Sequence, residues 1–314
     1  MLCNNLASLR HSIHPINNST SLTAAPRRII SEIDTGGSAS VHIAYLENTT
    51  IPLVIKKFFN SSNEEIINEI KIMGMVSHPN IIRFYGVTKF KDEVDYSLVL
   101  EYADSGTLEK YLCDNAETFK WENQLKFAKE ISGAISWLHN KTIVHGDLHS
   151  KNILIHQQQP HQHTIKLADF GRSFLQGRTK VFTKACGVIP YMDPKIFQTT
   201  GSRLYYLNKK SDIYGLGVLL WQLTSYSSPF DFAKIKDDYF ELYQKCWQHE
   251  PDKRPDIYQV ISELKSIDSI DPENDNSSNN FNPKESETTE ELDNEYFYSP
   301  SCDDLNINSD KYQI

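Results

Sequence analysis

The sequence predicts an α+β protein: a small β-rich first third, a larger and mostly helical remainder, and a polar tail outside both. Three observations carry that reading. Short runs of β-branched and apolar residues between turn signals fill the chain up to about residue 102. Helical periodicities replace them beyond residue 105. Residues 268–314 hold too few apolar side chains to offset the entropy of ordering them.

Residues 1–28, rich in Asn, Ser and Thr without periodicity, read as a disordered lead-in. Ile29 to Tyr45 and Ile51 to Phe59 then read as short strands. Ser62 followed three residues on by Glu65 is a capping box, in which each side chain satisfies the other's backbone N–H. Ile66, Ile67, Ile70 and Met73 follow it at helical spacing. Strand-like runs return at 80–87 and 95–102. Leu125, Ala128, Ile131, Ile135 and Leu138 mark one apolar helix face, and Ile213, Leu216, Leu219, Leu220 and Leu223 another. The last helical pattern, around Ile257, Ile261 and Leu264, ends near Ile267. The His/Gln tract from His156 to His163 lies between two strand-like runs and reads as a lengthened hairpin loop rather than a metal tract.

The chain has 314 residues, 39% hydrophobic and 23% charged, with a formal net charge of −9. That charge is unevenly placed. Residues 268–314 hold thirteen acidic side chains against Lys284 and Lys311, so the tail carries −11 and the body +2. A near-neutral body without a basic stripe excludes double-stranded nucleic acid as a main partner. The acidic tail, with Tyr296 and Tyr298, reads as a solvating extension or a segment for a signalling partner. Five scattered cysteines without a C-x-x-C pair fit a reduced, intracellular and cytoplasmic setting. No run approaches the ~18 apolar residues of a membrane helix.

Chemistry concentrates in two segments. His145-Gly146-Asp147-Leu148-His149-Ser150-Lys151-Asn152 precedes a strand-like run that ends at Asp169-Phe170-Gly171. Asp147, Asn152 and Asp169 thus sit on two loops joined by a hairpin. Two of the three can supply hard oxygens to Mg²⁺, leaving a carboxylate to accept a proton.

With these segments the sequence resembles the protein kinase family, whose corresponding motifs read H-R-D-x-x-x-x-N and D-F-G. The other signatures follow in order: Leu53-Val54-Ile55-Lys56, Glu69 on the capped helix, His78-Pro79-Asn80, Leu100-Glu101-Tyr102-Ala103, Ser211-Asp212-Ile213-Tyr214, and Lys253-Arg254-Pro255. The style is nearest the tyrosine-kinase-like group of serine/threonine kinases. The resemblance implies a two-lobed protein-kinase-like fold over 29–266, with a β-rich N-lobe (29–102) carrying one main helix and a mainly helical C-lobe (103–266). A disordered segment at 1–28 and the acidic tail at 267–314 flank it. It implies ATP and Mg²⁺ as cofactors and a protein substrate. Asp147 takes the base position and Asn152 and Asp169 the metal positions. Lys56, steadied by Glu69, meets the phosphates. Ile33, Gly36, Ala39, Val41, Val54, Lys56, Glu101, Ala103 and Leu154 would contact the nucleotide.

The departures are specific. Asp34 and Ala39 stand at two glycine positions of the phosphate-covering loop, and Val54 narrows the adenine pocket. Gly146 replaces an arginine that would pair with a phosphate on Thr179 or Thr183, which implies that phosphorylation there is not the switch. His149 replaces a lysine, and Lys151 either supplies that charge near the phosphate or lies at the surface. Lys195 stands where a glutamate would pair with Arg254; facing it would be repulsive, so one of the two is expected to turn to solvent or find another acid, and the segment to be less firmly anchored. Between 229 and 239 the chain is shorter than the family pattern by a helix and its loop, through a loss in the domain or through a coding segment that the deduced sequence skips. The expected activity is transfer of the γ-phosphate to a serine or threonine hydroxyl, with tyrosine as a further acceptor class. The alternative is a catalytically impaired nucleotide-binding scaffold.

Overall fold

The computed structural model describes residues 28–45, 49–59, 61–90, 96–177, 187–198, 206–225 and 237–268. Thr179 and Thr183, the stretch 229–236, and the tail with Tyr296 and Tyr298 lie outside them. The lead-in does too, up to residue 27.

Five antiparallel strands form the first layer, ordered β1-β2-β3-β5-β4: β1 Arg28–Thr35, β2 Ala39–Tyr45, β3 Pro52–Phe58, β4 Phe84–Thr88 and β5 Ser97–Glu101. Helix α1 (Asn63–Met75) starts on the expected capping box: Ser62 N donates to Glu65 Oε2 at 2.8 Å and Glu65 N donates to Ser62 Oγ at 3.3 Å. Its Ile66 and Ile70 pack on Leu98 of β5, which fixes the helix against the sheet.

The second part is helical: α2 Leu108–Asn115, α3 Trp121–Asn140, α4 Lys209–Ser225, α5 Asp237–Cys246 and α6 Ile257–Asp268. On α3 the expected stripe is buried, with Ala128, Ile131, Ile135 and Leu138 fully inaccessible. Each such Ile or Leu contributes about 1.5–3 kcal/mol. Helix α4 is buried nearly all round, as befits the element the others pack on. Two antiparallel pairs complete the part: β6 (Ile143–Val144) with the distant β9 (Phe174–Leu175), and between them in sequence the hairpin of β7 (Ile153–Gln159) and β8 (Gln162–Leu167).

Two expectations shift. Of the run 80–87, only the part from Phe84 joins the sheet; Ile81 instead bridges to Leu167, with Leu167 N donating to Asn80 O and Ile82 N to Leu167 O, each at 2.9 Å. That segment ties the first layer to the second part. The His/Gln tract is mostly ladder, pairing His156 with Thr164 and Gln157 with His163, and only Pro160 and His161 turn. Period-2 polarity on a solvent-facing hairpin carries no apolar signal, so composition alone suggested a loop.

Helices α4 and α5 meet at Gly217, where an added Cβ would fall 2.7 Å from the Cys246 Cβ and 3.2 Å from the Tyr243 carbonyl oxygen. Gly217→Ala is expected to destabilise the protein by about 1–3 kcal/mol through overpacking. Gly133→Ala, on α3 with nothing within 4 Å, is expected to gain up to about 1 kcal/mol. Denaturant midpoints of the two variants check the pair.

Candidate active site

Lys56 is held from both sides of its strand, in register with Val41 on β2 and Leu98 on β5. Its ammonium lies 2.7 Å from Glu69 Oε1 on α1 and 2.9 Å from Asp169 Oδ1. Burial alone would pull the ammonium's pKa down, but Asp169 and Glu69 overcome it and hold the group above the ordinary lysine range. Asp169 mirrors this: the surrounding protein pushes its carboxyl up, while Lys56 and the Gly171 N–H hold it well below the carboxylate range. The Asp169 backbone has φ 59°, a left-handed conformation that an aspartate tolerates when its side chain accepts a local hydrogen bond. Gly171 N donates that bond to Oδ1 at 3.1 Å.

The loop carrying Asp147 is organised from beneath. Asp212, in the first turn of α4 with a side chain 1% exposed, accepts 2.9 Å bonds from the backbone N–H of His145 and of Gly146, and contacts His139 Nε2 at 2.9 Å. His145 is fully buried, and burial holds its imidazole below the ordinary value although Asp212 and Asp147 partly oppose it. Its Nδ1 accepts from Asp147 N at 3.3 Å, so the neutral ring carries its proton on Nε2, which donates to Ala168 O at 3.2 Å. Asn152 Nδ2 donates to the Asp147 carbonyl at 2.9 Å, which fixes the amide with its oxygen turned the other way. Ala168 N closes the circuit on Asn152 O at 2.8 Å. Asp147, Asn152 and Asp169 are thus brought into one network.

Around the opening, Gly36 N bonds Ala39 O at 2.9 Å to close the β1–β2 turn, and the exposed Asp34 takes the Thr35 N–H on its Oδ1. Ala39 and Val54 are buried, Val41 is half-buried and Ile33 is exposed. Glu101 directs its carboxylate away, to Lys166 and the Arg83 N–H. Leu154 and Ala103 pack on the main core, brought together where Ser105 N bonds Ile155 O and Ile155 N bonds Gly106 O. Lys151 is the outlier: its ammonium lies 3.9 Å from Glu109 on α2. His149 is buried, with Nε2 3.8 Å from Asp147 Oδ2.

Two arrangements depart from the sequence reading. Lys195 and Arg254 part as their like charges require, but the segment is not loosened by it. Arg254, fully buried, is bound bidentately by Asp193, Nη1 to Oδ2 at 2.6 Å and Nη2 to Oδ1 at 2.9 Å, while Lys195 turns outward to Glu250 at 2.6 Å. The acid has moved two residues toward the N-terminus, so the segment 187–198 is anchored and the expected loosening is absent. Gly146, at φ +77°, is where a side chain would be strained and tight, since a Cβ would fall 3.1 Å from the Arg172 carbonyl oxygen. Arg172 itself brings a guanidinium 3.7 Å from Asp147 Oδ1. Asp193, Asp212 and Arg172 were not among the expected site residues. A charged residue inside an apolar helix marked Asp212; an acid beside Pro194 and a cation beside Gly171 carried no comparable signal.

Across residues 28–270 the chain matches the protein kinase domain, and it belongs to that family. It is similar to the leaf rust 10 disease-resistance locus receptor-like protein kinase-like 1.4 of Arabidopsis thaliana, 32% identical over 225 residues, covering 69% of this chain and 32% of the plant protein. A probable LIM domain-containing serine/threonine-protein kinase of Dictyostelium discoideum is 28% identical over 261 residues, 75% of this chain and 38% of that protein. The dual specificity protein kinase splA of the same organism is 27% identical over 257 residues, 70% and 10%. The chain therefore spans well under half the length of these relatives.

Asp193→Ala strands a buried guanidinium and is expected to cost about 3–5 kcal/mol. Lys195→Ala, which opens a surface pair, is expected to leave the denaturant midpoint nearly unchanged. Equal shifts for the two variants would contradict this division of labour.

Proposed function

We propose that the chain is an ATP-dependent protein kinase that transfers the γ-phosphoryl group to serine or threonine hydroxyls of proteins. The observation that carries the reading is the linking of Lys56, Glu69, Asp169, Asn152 and Asp147 into one network through the bonds described above. Phosphoryl transfer asks a protein mainly for positioning and charge neutralisation, and this inventory supplies both.

Lys56, held by Glu69, meets the nucleotide phosphates. Ile33, Gly36, Ala39, Val41 and Val54 cover the nucleotide from the sheet, the backbone of Glu101 and Ala103 meets the adenine edge, and Leu154 supports it from below. Asp169 and Asn152 offer a carboxylate and an amide oxygen, the hard donors that suit Mg²⁺ when substrate phosphates complete the shell. Bound there, the ion neutralises phosphate charge. In the transfer, the substrate oxygen bonds to the γ-phosphorus as the bond to the β–γ bridging oxygen breaks; Asp147 takes the hydroxyl proton and ADP leaves. Lys151 serves at the surface rather than at the phosphate, in keeping with its position beside Glu109.

Among the described residues no helix is long and apolar enough to cross a membrane, and Cys113 and Cys246 are not joined in a disulfide. A reducing, cytoplasmic setting is part of this proposal, on the scattered cysteines of the sequence. The acidic tail is proposed as the segment that meets a signalling partner.

Radiolabelled ATP turnover on a generic protein substrate tests the reading. Asp169→Ala is expected to lower kcat by ~10²–10³ or more, as loss of a preorganised charge does. Equal incorporation by wild type and variant would sink the assignment.

A further inference from the structure

His149 follows Asp147 on the same loop, and it is shut in, with only 8% of the residue exposed. Its ring tilts against that of Tyr191, with centroids 6.1 Å apart. The Tyr191 hydroxyl is itself pinned, 3.0 Å from Ser150 Oγ and donating to Gln222 Oε1, so the ring rests on a fixed support. Nδ1 of His149 has no hydrogen-bond partner among the described residues. Nε2 lies 3.8 Å from Asp147 Oδ2. Glu109, the other acid that the ring feels, pairs with Lys151 at 3.9 Å.

A buried nitrogen without a partner is unfavourable, and that decides where the proton of the ring sits. On Nδ1 it would be a donor lacking an acceptor, and the bare lone pair of Nε2 would be turned toward a carboxylate oxygen. On Nε2 the proton faces an acceptor. Nε2 therefore carries a proton in the neutral ring and in the imidazolium alike, and the contact with Asp147 does not depend on the charge of the ring. Its separation exceeds a hydrogen bond by less than about 1 Å. Contacts of this kind tighten when substrate is bound.

We propose that His149 is a positioning residue for the base: its Nε2–H closes on Asp147 Oδ2 when the accepting hydroxyl arrives, and fixes the rotation of the carboxylate so that the other oxygen takes the proton. The inference rests on the kinase reading above. His149 touches neither nucleotide nor substrate in this scheme and acts through Asp147 alone. The unpartnered Nδ1 is then the structural cost of placing an N–H donor on the other side of the ring.

The test uses the full chain with ATP and a panel of serine peptides. His149→Met, which fills the volume without a donor, is expected to lower kcat by about 10²-fold and leave both KM values within about twofold. Its denaturant midpoint is expected to hold or rise, because the unpartnered nitrogen is gone. His149→Gln, whose amide nitrogen reaches the place of Nε2, is expected to recover about tenfold of the lost kcat. His149→Asn, whose amide nitrogen reaches only the place of Nδ1, is expected to recover none. A kcat for His149→Met within about threefold of wild type, or a loss that His149→Gln does not relieve, overturns the proposal. Nitrogen-15 NMR of the histidines reads the same contact without turnover. A proton on His149 Nε2 whose resonance moves in Asp147→Ala supports the proposal, and an Nδ1–H tautomer or indifference to Asp147→Ala overturns it. Should wild type phosphorylate no peptide above the Asp169→Ala baseline, the kinase reading fails, and the NMR result alone decides whether His149 holds Asp147.

Discussion

A single buried carboxylate organises the catalytic side of the molecule. Asp212 is almost completely removed from water, where an unpaired charge costs several kcal/mol, and it is tolerated because two backbone N–H groups and an imidazole surround it. It lies in the first turn of α4, where the helix dipole also favours a negative charge. Because its partners are the peptide groups of His145 and Gly146, the site begins from a fixed backbone. His145 then passes that order on, through one ring nitrogen to Asp147 and the other to Ala168, next to Asp169.

The opposite wall is held differently. Lys56 and Glu69 belong to the sheet layer and Asp169 to the helical part, so their cluster crosses the junction. A second link is the polar contact of Asn80 with Leu167, reinforced by Asn80 Nδ2 donating to Thr164 Oγ1 at 3.0 Å. One link is made of charges and the other of backbone.

Much of this was legible in the sequence, and the reasons differ by element. The capping box at Ser62 and the apolar stripes of α3 and α4 were readable because local bonding and periodicity determine them directly. Lys56, Glu69, Asp147, Asn152 and Asp169 were readable as residues because they stand at fixed offsets in ordered motifs, and their mutual approach followed. What stayed hidden were pairings between segments far apart in sequence. That Lys195 and Arg254 must part was readable from their like charges, but not which acids would take them; Asp193 turns inward to Arg254 and Lys195 outward to Glu250. Gly146 looked like a simple loss, because nothing local reveals that the Arg172 carbonyl fills the space beside it.

The exchange of Asp193 and Lys195 also restricts how such a segment changes by single substitutions. Arg254 has no exposure at all, so any intermediate that removes its acid before supplying another leaves a bare guanidinium in the interior. The passable order runs the other way: a second acid arrives first, both share one five-donor cation, and only then does the original position become free to take a lysine that reaches Glu250. The buried arginine therefore limits the order in which the charges of this short stretch can be substituted one at a time.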